Sequence, residues 1–236
     1  MQATSPIINN RQITDLTRAE VWIFDLDNTL YPASCNLFPQ VERKMTQFIV
    51  ELLDIEHEVA HGIQKKYFRE HGTTMRGLMH HHDVAPGDFL DYVHDVDLSG
   101  VPDDPVLDAH LSRLPGRKLI FTNGSTSHAE RITRHLGVDH HFDDIFDIEA
   151  SGYIPKPDPG VYATLIEKFD VQPSSSVMVE DMARNLQPAA ELGMSTVWVR
   201  TDTTWGIEGS DQDYVHHVAN DLTSWLGGVV AHLDHG

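Results

Sequence analysis

One stretch decides the fold of this chain: Val21-Trp22-Ile23-Phe24-Asp25-Leu26-Asp27-Asn28-Thr29-Leu30-Tyr31. Its first four residues are large and apolar without alternation, which indicates a strand buried on both faces in the middle of a parallel sheet. Reactive side chains in such sheets lie just beyond the carboxyl ends of the strands. Asp25 and Asp27 occupy that position, so one carboxylate could attack a substrate while the other transfers a proton. The pattern is also compatible with an ordinary polar loop after a strand.

The rest of the chain falls into two regions with different patterns. Apolar residues recur at three- and four-residue spacing from Phe38 to Leu53, and Gly72 and Pro86 mark further helix boundaries, so this region is predicted to be helical. From Arg117 onward strands alternate with helices, which is typical of a doubly wound parallel sheet. The sequence predicts an α/β core over residues 1–31 and 116–236, beginning with a polar arm over residues 1–20, and an all-helical insert over residues 32–115.

The charge balance excludes some classes of partner. Lys+Arg 17 against Asp+Glu 36 gives a net charge of −19, which argues against binding polymeric nucleic acid or an anionic membrane through a basic face. A small anionic substrate is still compatible if a metal and a few cations make its pocket locally positive. The single cysteine, Cys35, cannot form an internal disulfide, which fits a reducing cytosol. Without a signal-peptide pattern or a long apolar run, the chain is expected to be cytoplasmic, as a monomer or homodimer.

Three later stretches place polar groups at the ends of predicted strands. Thr122-Asn123-Gly124 offers a hydroxyl and a carboxamide at the start of a helix, where backbone N–H groups favour an anion, although an ordinary helix cap would look the same. Lys156 stands between prolines that fix its backbone, so it could reach a phosphate oxygen or could be a solvated loop lysine. Glu180-Asp181 ends an apolar strand. Such acids near Asp25 would need a divalent cation between them, and Mg²⁺ prefers oxygen ligands.

The four stretches, taken in order, resemble the four motifs of the haloacid dehalogenase superfamily. The resemblance covers nearly the whole chain, and the helical insert is similar to the cap domain of that superfamily. The fourth motif departs from the Gly-Asp-x-x-x-Asn-Asp or paired-aspartate form of many members, which leaves open whether Glu180 contacts the metal directly or through water. The chain also resembles the pyrimidine 5′-nucleotidase branch, in the segments Phe24–Pro32, Tyr67–Leu78, Tyr92–Asp97 and Glu180–Leu186.

The resemblance implies a Mg²⁺-dependent phosphatase that acts through an aspartyl-phosphate. Asp25 would attack phosphorus, while Asp27 would protonate the leaving alkoxide and later deprotonate the hydrolytic water. For the acid role we expect a raised pKa at Asp27, supplied by a partly dry pocket. Thr122, Asn123 and Lys156 would hold the phosphate oxygens. The implied metal ligands are Asp25, the backbone carbonyl of Asp27, Asp181 and Glu180.

The helical insert is expected to select the leaving group, because the implied core residues bind only phosphate. Resemblance to the nucleotidase branch is densest over residues 71–82, where Thr73, Thr74, Arg76 and the histidines offer groups to a pyrimidine edge. Arg76 is equally compatible with a solvated helix surface. The run His80-His81-His82 has no companion cysteine or spaced acid, so the sequence predicts a solvated helix end there rather than a metal site.

Several functions share this set of residues. The favoured substrate is a nucleoside 5′-monophosphate carrying a pyrimidine. A sugar-phosphate or phosphoglycolate phosphatase is the main alternative, and a phosphomutase or a non-catalytic phosphate-sensing protein is less favoured. Asp27 favours ester hydrolysis over dehalogenation, because an alkyl halide needs no protonated leaving group.

Overall fold

The first strand lies at the centre of a parallel sheet. The computed structural model describes Leu16 and residues 18–233, and within them six strands form one sheet in the order β3-β2-β1-β4-β5-β6, with every pairing parallel. The predicted parallel α/β sheet is therefore confirmed. The strands are β1 Val21–Phe24, β2 Arg117–Phe121, β3 Asp144–Phe146, β4 Ser176–Glu180, β5 Ser195–Val199 and β6 His217–Ala219.

The lack of alternation in β1 reflects burial on both faces of the sheet. Trp22 and Phe24 pack in one apolar cluster, and Val21 and Ile23 pack in another. Burying both faces in this way is what a strand flanked by two helical layers requires. The register then sets the site, because Phe24 pairs with a residue of β2 on one side and of β4 on the other. The chain segments that follow these three strands consequently emerge side by side.

Helices between β1 and β2 begin and end at the residues that their sequence signals indicate. Gly72 follows the helix His57–His71 (α2) with a φ of 85°, and the Thr73 hydroxyl caps the helix Thr74–His82 (α3) by accepting a hydrogen bond from the Arg76 N–H at 3.1 Å. Pro86 is the first residue of the helix Pro86–Val93 (α4). A fifth helix, Pro105–Arg113 (α5), was not predicted. The insert helices are α1 Phe38–Leu53, α2 His57–His71, α3 Thr74–His82, α4 Pro86–Val93 and α5 Pro105–Arg113, preceded by a 3₁₀ turn at Ala33–Cys35.

The helices after β2 alternate with the remaining strands, as predicted. They are α6 Thr126–Leu136, α7 Pro159–Phe169, α8 Leu186–Glu191, α9 Thr204–Ile207 and α10 Leu222–Leu233, with 3₁₀ turns at Asp139–His141, Pro173–Ser175 and Ala183–Asn185. No helix among residues 18–233 is long and apolar enough to cross a membrane. Most of the predicted polar arm over residues 1–20 lies outside the described residues.

Helix α5 packs against the core rather than against the other insert helices. The Thr223 hydroxyl on α10 donates to Asp104, the N-cap residue of α5, at 2.6 Å. Asp108 of α5 is joined to His141 of the core at 2.7 Å. We therefore propose that the cap ends before Pro105, whereas the sequence pattern alone suggested residue 115.

Candidate active site

Four buried ionisable side chains meet at the carboxyl ends of β1 and β4. They are Asp25, Lys156, Glu180 and Asp181. The Lys156 ammonium donates to Asp25 Oδ1 at 2.7 Å, to Glu180 Oε2 at 2.6 Å and to the Phe121 carbonyl at 2.8 Å. Burial alone would lower the pKa of Lys156, but the charges of Asp25 and Glu180 raise it above its ordinary value. Lys156 is therefore a fixed positive charge beside both acids.

Residues after β2 hold the loop that carries this lysine. The Asn123 side-chain oxygen accepts a hydrogen bond from the Lys156 backbone N–H at 2.9 Å, and the Thr122 hydroxyl accepts one from the Gly124 N–H at 2.9 Å. The amide group of Asn123 is thus brought beside Lys156. The structure brings all three predicted phosphate-binding residues, Thr122, Asn123 and Lys156, to the wall of one cavity.

The acids in this cluster outnumber the single lysine. Burial, reinforced by the charge of Glu180, raises the pKa of Asp25 to about 7 even though Lys156 opposes the shift. Burial and the charges of Glu180 and Asp25 likewise raise the pKa of Asp181 well above its ordinary value. Both shifts come first from burial and then from neighbouring negative charges, and a bound cation would oppose both effects.

The donor set fits Mg²⁺. Carboxylate oxygens of Asp25, Glu180 and Asp181 lie within 4.8 Å of one another. Nearby, the side-chain oxygen of Asn185 is buried and has no hydrogen-bond partner among the described residues. Oxygen-only ligands with unmet negative charge are what a hard divalent cation selects. Three of the four predicted metal residues, Asp25, Glu180 and Asp181, are thus close together. Asn185 contributes a buried oxygen that the sequence pattern did not assign.

Asp27 is held differently from Asp25. Its Oδ1 accepts a hydrogen bond from the Tyr31 hydroxyl at 2.5 Å and pairs with His128 Nε2 at 3.0 Å. Burial alone would raise the pKa of Asp27, but His128 and the Tyr31 hydrogen bond outweigh it and lower the pKa to about 2. The expected raised pKa is therefore wrong, because the sequence pattern did not reveal these two partners.

Two histidines support Asp27 and were not found from the sequence. His128, in the first turn of α6, is buried, and the His94 ring stacks on it with centroids 4.0 Å apart at 11°. His94 is bonded in turn to the Ser125 hydroxyl at 2.9 Å. Burial and the adjacent His128 lower the pKa of His94 to about 3, which keeps its ring neutral. One signal was available, since His128 lies one helical turn beyond Gly124 and can point back toward the strand ends.

Removing His128 tests this support directly. We expect His128→Ala to lower kcat at least about tenfold for an alkyl phosphate, because Asp27, the proposed proton donor, loses a partner that orients it. An aryl phosphate, whose leaving group needs little protonation, should be less affected. Arg134→Ala, an exposed change on the same helix, is the matched control. Equal rates for the two variants on both substrates would contradict the role of His128.

A cavity of about 510 Å³ connects the strand ends to the helical insert. Its insert wall is largely apolar and also carries Thr73 and Thr74, as predicted. Arg76 is not among the lining residues and its side chain is exposed on α3, so the predicted contact of Arg76 with substrate is not supported. Apolar and aromatic lining residues include Phe38, Val41, Met45, Phe68, Met75, Phe89, Val93 and Trp205.

Known proteins share both the sequence pattern and the architecture. Residues 20–193 match the family model described as a haloacid dehalogenase-like hydrolase. Phosphate metabolism protein 8 of Saccharomyces cerevisiae is 27% identical over 197 residues, 75% of this chain, and this chain spans only 60% of the yeast protein. A glyceraldehyde 3-phosphate phosphatase of Methanocaldococcus jannaschii is 27% identical over 217 residues, covering 85% of this chain and 92% of that protein. The magnesium-bound HAD hydrolase YfnB of Bacillus subtilis shares the fold, with a TM-score of 0.55 at 16% identity over 90% of this chain and 99% of that one.

The family match covers all the buried ionisable residues of the site. It runs from just before β1 to just after α8 and so includes Asp25, Asp27, Lys156, Glu180 and Asp181. These residues converge at one edge of a parallel sheet, in the order along the chain that the four motifs require. On the sequence match and the fold together, this chain belongs to the haloacid dehalogenase-like hydrolases.

Proposed function

We propose that the chain is a Mg²⁺-dependent phosphatase that hydrolyses nucleoside 5′-monophosphates, pyrimidine nucleotides first, through a phosphorylated Asp25. The observation that carries the proposal is the continuity of the cavity, which has buried acids and Lys156 at one end and an apolar, aromatic chamber at the other. The polar end suits a phosphate group, and the apolar end suits the flat faces of a nucleobase.

Asp25 is oriented for attack on phosphorus. Thr29 donates to Asp25 Oδ2 at 2.9 Å while Lys156 holds Oδ1 at 2.7 Å, so the carboxylate cannot rotate freely. Attack by Asp25 forms the acyl phosphate and breaks the bond from phosphorus to the ester oxygen. Water then attacks the same phosphorus, which releases inorganic phosphate and restores the carboxylate.

Asp27 would carry the proton in both steps. The leaving oxygen takes a proton from Asp27, and Asp27 regains one from the attacking water. Its low pKa requires a compensating effect, and an arriving phosphate supplies one, because added negative charge favours proton uptake by a neighbouring carboxylate. His128 and Tyr31 hold Oδ1, which leaves Oδ2 of Asp27 for the substrate.

Asp25, Asp181 and the backbone carbonyl of Asp27 are the proposed metal ligands. When bound, Mg²⁺ offsets the repulsion between the acids and the phosphate. Both oxygens of Glu180 already accept hydrogen bonds, Oε2 from the Lys156 ammonium and Oε1 from the Met182 N–H at 3.1 Å. We therefore propose that Glu180 mainly positions Lys156 and contacts the metal through water.

Lys156, Thr122 and Asn123 would bind the non-bridging phosphate oxygens. Asn123 uses its oxygen on the Lys156 backbone, so its amide N–H groups are the part available to an anion. The Thr122 hydroxyl accepts from Gly124 and can still donate its own proton. The three N–H bonds of Lys156 already donate to Asp25, Glu180 and the Phe121 carbonyl, so Lys156 would attract the phosphate through its fixed charge. Charges and donors that are held in place before substrate arrives stabilise charge in a transition state most efficiently.

Metal removal tests the cation. We expect EDTA to abolish turnover and Mg²⁺ to restore it, and Asp181→Ala to behave like the chelated enzyme. Ca²⁺ should bind and support little turnover, because its larger and looser coordination misplaces the reacting groups. Phosphate release is the measurement. Full activity in EDTA would contradict the ligand assignment.

The aromatic end of the cavity leads to a testable prediction of substrate preference. We expect UMP and CMP to be hydrolysed better than purine nucleotides or sugar phosphates. Phe68 lines the cavity, and its ring packs edge-on against Trp205 with centroids 5.1 Å apart, so it is the residue to change. Phe68→Ala should lower kcat/KM for UMP about tenfold, or ~1.4 kcal/mol, and spare a triose phosphate, which has no aromatic base to pack against the ring.

The exposed Arg76 provides the control for that experiment, since Arg76→Ala should leave kcat/KM for UMP unchanged. The archaeal relative named as a glyceraldehyde 3-phosphate phosphatase favours the alternative, a sugar-phosphate phosphatase. Faster hydrolysis of sugar phosphates than of every nucleotide would establish that alternative and contradict the nucleotidase assignment.

A further inference from the structure

A second group of metal-ligating side chains lies at the corner between α2 and α3. His71 is the last residue of α2, and His81 lies in the last turn of α3. Their Nε2 atoms are 3.0 Å apart. A carboxylate oxygen of Glu70 lies within 4.8 Å of one ring nitrogen of each histidine. None of these three residues lines the cavity described above. The group is therefore separate from the candidate active site.

Packing around Tyr67 fixes the orientation of the histidines. The Tyr67 ring stacks on His81 with centroids 4.9 Å apart at 14°, and its hydroxyl is bonded to His82 Nε2 at 2.8 Å. Gly77 permits this contact, because a Cβ at that position would lie 2.4 Å from the Tyr67 side chain. His82 is thus occupied by Tyr67, while His81 is turned toward His71.

We propose that Glu70, His71 and His81 form a binding site for Zn²⁺. Two imidazole nitrogens and one carboxylate suit a borderline cation, whereas Mg²⁺ and Ca²⁺ prefer oxygen ligands. The separation of 3.0 Å between the two nitrogens is close to the roughly 3.3 Å expected for neighbouring ligands of tetrahedral zinc with Zn–N bonds of about 2.0–2.1 Å.

Groups that could complete the coordination of zinc lie next to these three residues. His80 lies beside both rings, with its centroid 5.4 Å from His71 and 4.8 Å from His81, and it or water would complete the coordination. Glu70 faces Lys66 at 4.0 Å in an exposed pair that costs little to break. The sequence run of histidines lacked a companion acid, but the packing of α2 against α3 supplies one from a residue ten positions earlier.

Zinc at this corner would cross-link the end of α2 to α3 around Gly72 and Thr73. Thr73 lines the cavity, and Gly72 packs closely on Pro155, the residue before Lys156. The metal would therefore stabilise the part of the insert that contacts the core loop carrying Lys156. This consequence concerns stability and does not depend on which ester is the substrate.

Zinc titration in excess Mg²⁺ tests the site, with calorimetry giving the dissociation constant and thermal unfolding giving the stabilisation. We expect wild type to bind one Zn²⁺ at this site and to unfold at a higher temperature with it. His71→Gln and His81→Gln should each weaken binding at least tenfold. His61→Gln, an exposed change on α2, and Asp181→Asn, at the proposed catalytic metal, should both retain it.

Glu70→Gln guards against a variant that fails to fold, because Glu70 is exposed and its replacement leaves the Tyr67 packing intact. It should also weaken zinc binding, and the zinc-dependent rise in unfolding temperature should shrink with it. Wild-type affinity in the Glu70, His71 and His81 variants alike would overturn the proposal. Zinc binding that is lost in Asp181→Asn and kept in the Glu70, His71 and His81 variants would also overturn the proposal.

Discussion

Asp25→Asn is expected to reduce kcat below about a hundredth of the wild-type value, a loss of at least ~2.7 kcal/mol in transition-state stabilisation. The amide has nearly the shape of the carboxylate but cannot attack phosphorus. Its oxygen can stay on Lys156 while its N–H₂ faces the Thr29 hydroxyl, which can rotate to accept. Steady-state phosphate release from a nucleotide and from an aryl phosphate measures the effect.

Stability is the control for this variant. Because burial and Glu180 raise the pKa of Asp25 to about 7, its charged form is strained near neutral pH, and a neutral amide relieves that strain. The thermal midpoint in EDTA should therefore be unchanged or higher. A variant that keeps its fold and more than a hundredth of kcat would contradict the covalent mechanism.

Lys156→Met should abolish turnover and destabilise the fold. Methionine matches the length of the aliphatic part of lysine but lacks the buried ammonium that contacts both Asp25 and Glu180. Breaking a buried ion pair from one side costs about 3–5 kcal/mol, because the partner charge is left uncompensated. Urea unfolding in EDTA near neutral pH should show a loss of that order, and phosphate release should fall with it.

Adding Mg²⁺ distinguishes an uncompensated buried charge from a simple packing defect as the cause of the lost stability. A cation bound by Asp25 and Asp181 would neutralise part of the charge that the lost lysine leaves behind, so Mg²⁺ should recover more stability in Lys156→Met than in wild type. Activity should not return, because the phosphate still lacks its fixed positive partner. A variant with kcat within tenfold of wild type would contradict the assignment of Lys156.

Residues at strand ends were predictable from the sequence because their positions follow from backbone periodicity. The apolar run before Asp25 indicated a central strand, and parallel topology then required the ends of β1, β2 and β4 to meet. The position of Lys156 in the site was predicted from the prolines on either side of it and from the family resemblance. Its contacts with both acids are tertiary and could be seen only in the structure.

The site features that the sequence did not reveal depend on residues of helices. His128 and His94 come from α6 and from the end of α4, and they meet only because the insert folds onto the core. Arg76 looked suitable by residue type, yet α3 turns its side chain toward solvent. In both cases the outcome depended on how two helices pack, which spacing within one segment does not specify.

Phosphoryl transfer to Asp25 can be measured with the Asp27→Asn variant and para-nitrophenyl phosphate. Nitrophenolate release is followed over time, and samples of the protein are quenched for mass spectrometry. This leaving group needs no proton, so Asp25 should still be phosphorylated, whereas hydrolysis of the acyl phosphate lacks its base. We expect a burst of nitrophenolate equal to the enzyme concentration, then a stall, with the phosphoryl group on the peptide that contains Asp25. Slow release without a burst, from protein whose Asp25 stays unmodified, would contradict phosphoryl transfer to Asp25.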